Sequence, residues 1–323
     1  GQLYGIVNLD GGTSSEPSLD GWVAVVSLEN KGWTIMVNGT RPQCDLPPYS
    51  CDTNINPYCV TDFSHAWENC SYLTTFPPLR VSLGVDFSYS WFGCTGLTTF
   101  PTLDVGSGNN FASAWRDCAS LVSFPTLDVS SGVTFDLAWG GCSALESFPL
   151  LDTSSGISFA GSWANCTNLR SFPLLDTSSG ASFNSSWFNC TNLRSFPAGM
   201  FDNCTATDFS VAWWSCALSV KSVDNILISL DTAGQENGSV WIVQGTTYHP
   251  GAAGRAAVAS LQAKGWTVVT NPYPYVTCTP DYPGLPITYP PYSCNTEVNT
   301  QGVTDLSNGW SGCTAITVFP CID

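Results

Sequence analysis

A repeat of 24 residues constrains this chain more than any other feature. Cysteines stand at 70, 94, 118, 142, 166 and 190, each 24 residues from the last. Seven positions before each is a phenylalanine, from Phe63 to Phe183, and three before is a tryptophan, from Trp67 to Trp187. Three positions after comes a leucine, from Leu73 to Leu193. Six after comes Phe-Pro, from Phe76-Pro77 to Phe196-Pro197. A further, imperfect copy carries Phe209, Trp213 and Cys216. One such unit cannot bury its apolar face alone, so neighbours must stack and share a core.

Phe, Trp and Cys at i, i+4 and i+7 predict about two helical turns with all three on one face. L-x-x-F-P-x-L predicts a short extended segment ended by proline. D-x-S-S-G predicts a turn, with Asp bonding nearby N–H groups and Gly at positive φ. The expected unit is therefore helix, strand, turn, with strands stacked about 4.8 Å apart. The expected fold class is α/β: a leucine-rich-repeat-like right-handed solenoid with parallel short strands and α/β caps.

At these residues the chain resembles a known family. A-W-x-x-C-x-x-L-x-x-F-P, seen at Ala66-Trp67, Ala114-Trp115 and Ala138-Trp139, is similar to the BspA-like leucine-rich repeats of surface proteins. Trp stands where that family usually has Phe. The resemblance covers residues 60–220 and implies a solenoid in a surface, adhesive or phage-fibre-like protein.

Outside the repeat the pattern changes. Leu3 to Leu9 predicts a strand and Leu19 to Lys31 a helix. V-V-S-L-E-N-K-G-W-T at 25–34 lines up with V-A-S-L-Q-A-K-G-W-T at 258–267, an offset of 233. Ser222–Leu230 and Ala252–Lys264 predict helices; Ser239–Val243 and Trp266–Thr270 predict strands. The expected plan is a β-α-β half-cap (1–39), a Pro/Cys linker (40–59), the repeat (60–220) and an α-β-α-β cap (221–271). A Pro/Tyr linker (272–302) and a lone coil (303–323) follow.

Only 11% of residues are charged, against roughly 25% in an ordinary soluble chain. Acidic residues outnumber basic ones 25 to 9, a net charge of −16, which disfavours nucleic acid as a partner. No apolar run approaches the roughly 20 residues of a membrane span, so no insertion is expected. Gly1 reads as a mature or truncated start. Fifteen cysteines without paired Cys-x-x-Cys spacing point to an oxidising, extracellular compartment. Glycan acceptors fit that compartment: Asn38, Asn69, Asn165, Asn184, Asn189, Asn203 and Asn237 begin Asn-x-Ser/Thr triplets. Cys44–Cys51 and Cys278–Cys294 are natural linker disulfides, and the repeat cysteines read as free, buried thiols.

Catalytic chemistry has little to stand on. There are two histidines, His65 and His249, and no metalloprotease, phosphate-loop or nucleophile-elbow motif. A non-enzyme without cofactor is expected. Asp104, Asp128, Asp152 and Asp176 recur at one turn position. A row of Ca²⁺ sites is one reading. Turn-capping is the preferred one, because one carboxylate per turn offers few of the 6–8 oxygens that Ca²⁺ takes. The tryptophan row invites glycan stacking but reads as core.

The ends suggest assembly. Leu3, Tyr4, Ile6 and Val7 at the head, and Trp310, Ile316 and Phe319 at the tail, would expose apolar residues, with Cys321 as a covalent lock. These residues predict a head-to-tail homopolymer, an extracellular filament subunit. The alternative is an adhesin that binds surface glycans or a receptor along the solenoid.

Overall fold

The computed structural model describes residues 6–9, 17–37, 51–53, 57 and 59–272. The chain divides into two compact units, Gly1–Thr270 and Asn271–Asp323, and every element described below belongs to the first.

The 24-residue units lie one on another. Parallel single-residue bridges join the position before the first Phe of each unit to its equivalent in the next, from Asp62–Asp86 to Ser158–Ser182. A second row joins the position before Phe-Pro, from Thr75–Thr99 to Ser171–Ser195. Between the rows the large residues form columns. Indole centroids of successive tryptophans from Trp67 to Trp213 are 5.3 to 5.6 Å apart, with their planes nearly parallel. Each indole also meets phenylalanine rings edge to face: Trp139 lies 4.8 Å from Phe148 and 5.4 Å from Phe124. These rings are buried.

The helix expected at Phe-x-x-x-Trp-x-x-Cys does not form. Two positions in each unit, two before Trp and one before Cys, have left-handed backbone. In the first unit these are His65 (φ 57°) and Asn69 (φ 58°), and they recur through Val211 (φ 53°) and Ser215 (φ 62°). A left-handed residue every fourth position forbids a right-handed helix. The backbone N–H groups go elsewhere. Those of Phe63, His65, Trp67 and Asn69 donate to the carbonyls of Asp86, Ser88, Ser90 and Phe92 in the next unit, at 2.6 to 3.0 Å. Ala66 and Cys70 close tight turns onto Phe63 and Trp67. The apolar residues share a face because the turns repeat every four residues, not because a helix carries them.

The glycine of D-x-S-S-G also has a different reason from the one expected. Gly84, Gly108, Gly132, Gly156 and Gly180 are not left-handed. A Cβ at Gly132 would stand 2.3 Å from the Phe135 ring, and the other four meet the same clash with the phenylalanine three residues on. The ring, not the backbone angle, demands glycine.

Regular structure sits mostly in the flanks. β1 (Ile6–Leu9), α1 (Leu19–Asn30) and β2 (Thr34–Val37) form one parallel β-α-β piece. β3 (Asp208–Phe209) in the last unit starts a parallel sheet of order β3-β4-β5, with β4 (Ser239–Ile242) and β5 (Thr267–Thr270). α2 (Val220–Ala233) and α3 (Ala252–Ala263) pack on each other beside it. Serine hydroxyls cap α1 and α2: Ser18 accepts from Gly21 N and Ser219 from Ser222 N. Left-handed Gly234 (φ 74°) ends α2. Offset by 233, β1-α1-β2 matches β4-α3-β5 element for element, with the same strand register. The surroundings differ. Val240 and Ile242 of β4 are fully buried between β3 and β5, whereas Ile6 and Leu9 of β1 are 73% and 57% exposed.

These observations correct the expected class. A leucine-rich-repeat solenoid needs helix and strand in every repeat. Among the described residues there are three short helices and two small parallel sheets, and the six regular units hold only turns and isolated bridges. The BspA-like resemblance and the leucine-rich-repeat solenoid are therefore withdrawn. The filament subunit and the adhesin drawn from that solenoid go with them. Of the residues assigned to the subunit joint, Ile6 and Val7 are described and lie on β1. Leu3, Tyr4, Trp310, Ile316, Phe319 and Cys321 lie outside the described residues.

Candidate functional site

The consensus residues are consumed by the core, so function must come from the variable positions between them. Two of these, two before and one after each tryptophan, share one lateral face. Tyr89 and Phe92 meet edge to face at 5.8 Å, and the Leu137 side chain lies over Gly161 and against Gly140.

Along this face the side chains change size. Near the start stand His65, Tyr89 and Phe92, all half-buried. His65 stacks on Tyr89 at 4.8 Å and hydrogen-bonds Glu68, while the Arg116 guanidinium sits 5.6 Å from the Phe92 centroid. Arg116 also reaches Asp117 at 3.6 Å. In the middle come buried Ser113, Gly140, Gly161 and Ala164, with the half-buried Leu137 side chain lying over the two glycines. Beyond them stand half-buried Phe188, Trp214 and Trp241, the two indoles 6.3 Å apart. Beside the middle stretch the Asn189 amide donates to the Asn165 carbonyl oxygen at 2.9 Å. The result is two aromatic shelves separated by a stretch in which Leu137 covers small, buried residues, edged by hydroxyl and amide groups.

The left-handed column before each cysteine reads Asn69, Gly93, Asp117, Gly141, Asn165, Asn189 and Ser215. Asn, Asp and Gly are the residues that adopt this conformation most readily. Three of the glycan-acceptor triplets thus have a backbone reason to begin with Asn. Asn184, Asn203 and Asn237 are exposed, and Asn38 lies outside the described residues.

The aspartates act on their own turns. Asp128 accepts from the N–H (3.1 Å) and hydroxyl (2.7 Å) of Ser130, and Asp152 from Ser154 at the same distances. These bonds hold both carboxyls below the usual range. Asp176 accepts from the N–H of Ser178 at 2.9 Å; Asp104 precedes Val-Gly-Ser-Gly, and its carboxylate lies 3.8 Å from the place of a Cβ on Gly106. Among the described residues no group of three or more His, Cys, Asp or Glu is placed to hold a metal. A depression of about 440 Å³ is lined by Leu174 to Ser178, Gly199, Met200 and Asn203. Asp176 is its one charged group.

Cys51 is bonded to Cys70, with Cα atoms 5.5 Å apart, so the expected Cys44–Cys51 bridge is corrected. Cys59 is disulfide-bonded as well. Cys44, Cys278 and Cys294 lie outside the described residues. Cys94, Cys118, Cys142, Cys166, Cys190 and Cys216 are free and buried. Each thiol donates to the carbonyl of the preceding unit's tryptophan, from Cys94–Trp67 (3.1 Å) to Cys216–Trp187 (3.1 Å). Burial pushes Cys94 and Cys216 up to about 12, and the four between them well above the thiol range. A thiol held protonated is no nucleophile.

Tyr89, Phe92, Arg116, Phe188, Trp214 and Trp241 were not singled out from the sequence. The available signal was the presence of large residues at variable positions, which becomes informative only once those positions share a face. No family model, curated protein or solved structure matches this chain.

Proposed function

We propose that this is a non-catalytic binding protein of an oxidising, extracellular compartment, which recognises a hydroxyl-rich and mostly neutral ligand on the lateral face. The observation that carries this reading is the pair of half-buried aromatic shelves, Tyr89 with Phe92 and Phe188 with Trp214 and Trp241, on one lateral face. Rings supply flat apolar contact, and the Asn165–Asn189 pair supplies amide donors and acceptors. The Cys51–Cys70 disulfide supports the compartment, because such bonds persist where no thiol pool reduces them. No helix of the described residues is long and apolar enough to cross a membrane.

The test is a glycan array probed with the intact, oxidised protein, alongside Tyr89→Ala and Trp214→Ala. Signals on neutral glycans that fall in both variants support the reading. An array with no signal, or signals indifferent to both substitutions, would remove it.

A further inference from the structure

We infer that the ligand of this face is a linear oligosaccharide that engages both aromatic shelves at once, an inference that rests on the reading above. Phe92 and Phe188 are four repeats apart. Four inter-strand spacings place the shelves about 19 Å from each other. That is too far for one sugar ring and suits a chain of several rings laid along the stack.

Other ligand classes fit worse. Arg116 is the one Lys or Arg at the two face-forming positions, Asp117 already neighbours it, and the chain carries a net charge of −16. Nucleic acid needs several cations along its phosphates. A compact apolar ligand needs an enclosing cavity, and the depression lined by Leu174 to Ser178, Gly199, Met200 and Asn203 includes none of the shelf residues. A folded protein partner needs a broad apolar centre; here the centre has Leu137 as its one large apolar side chain, and the aromatic side chains stand at the two ends. A sugar chain has apolar ring faces for the shelves and hydroxyl edges for the polar groups between them.

The two shelves then act as linked sites. Once a chain is held at Tyr89 and Phe92, its far end meets Phe188 and Trp214 at high effective concentration. Length should therefore matter more than the identity of any one ring.

Isothermal titration tests this with neutral gluco-, manno- and N-acetylglucosamine oligosaccharides, each as monosaccharide, disaccharide and hexasaccharide. The expected result is a hexasaccharide at least about tenfold tighter than the disaccharide of the same linkage. Tyr89→Ala and Trp214→Ala should each bring the hexasaccharide down to the disaccharide level. Tyr89→Phe should retain the preference, since it keeps the ring. A disaccharide that binds as tightly as the hexasaccharide, or length dependence that survives loss of one shelf, overturns the two-shelf inference and leaves the glycan reading standing. No binding by any member, together with a silent array, overturns both. Ladder-tryptophan fluorescence of each variant, unchanged from the parent, separates a lost shelf from a lost fold.

Discussion

In the first 24-residue unit Cys70 is bonded to Cys51, and the Trp67 indole N–H donates to the Asp52 carbonyl at 3.1 Å. In the inner units the same positions hold a free thiol and an indole with no oxygen or nitrogen acceptor. The consensus residues are identical, so the difference comes from position. An inner unit finds a carbonyl below it: Cys142 donates to Trp115 at 3.2 Å, and Cys166 to Trp139 at 3.2 Å. Among the described residues, Cys51 and Asp52 take that place for the first unit. Tyr72 adds a hydrogen bond to the Cys51 carbonyl at 3.3 Å. A stacked array thus satisfies itself by neighbours, and its end needs a dedicated cover.

The largest expected effect comes from the inner thiols at high pH. Their folded pKa values lie above the ordinary thiol value of about 8.5. Their stabilisation is complete below that pH and is lost as pH climbs toward the folded values, because the unfolded thiols ionise first. Six thiols give a slope of about 8 kcal/mol per pH unit. A typical stability of about 5–15 kcal/mol is then exhausted within about two units, near pH 10. Tryptophan fluorescence followed against pH checks this. Cys142→Ala should make the loss shallower, and a fold intact at pH 11 would show that the thiols are not held protonated. Cys70, being oxidised, contributes nothing to the slope.

Trp139→Ala should cost about 3–5 kcal/mol, the range for truncating a buried aromatic. Trp139 touches Trp115, Trp163, Phe124 and Phe148. Urea denaturation of the oxidised protein measures it; a cost under 1 kcal/mol would mean the stack does not act as one core.

Cys51→Ser should cost about 3 kcal/mol, in keeping with a bridge spanning 19 residues. The loss should be local. Hydrogen exchange should quicken across residues 60–77 and stay slow across 110–190. Uniform acceleration would contradict an end cover.

The smallest effect sharpens the comparison most directly. Trp67→Phe removes a hydrogen bond, whereas Trp139→Phe removes ring volume alone. Trp67→Phe should be costlier by about 1 kcal/mol. Equal costs would mean that the Asp52 contact contributes no net stability.

How much could be read in advance varied with the kind of residue. The helices and strands of the flanks stand within a few residues of where the sequence put them, because Ser18, Ser219 and Gly234 mark ends by local chemistry. The helix that the spacing predicts for the unit is absent. Spacing i, i+4, i+7 describes any path that returns to one face every four residues, and left-handed corners at Leu137 and Val211 break ordinary preference. The lateral shelves were not legible, since variable positions gain meaning only when neighbours align them.

What the sequence by itself determined is the 24-residue period and the residues that fill the interior. Identical units in register meet identical neighbours, so the same Phe, Trp, Cys and Leu positions must all be buried or all be exposed. Only the tertiary structure decided the course of the backbone. Each N–H could bond four residues back or to the unit stacked beside it, and the second acceptor exists only after stacking. The inter-unit bonds from Phe63, His65, Trp67 and Asn69 prevailed over the helix. The Cys51–Cys70 pairing was decided in the same way, by where the open end of the stack brought two sulfurs together.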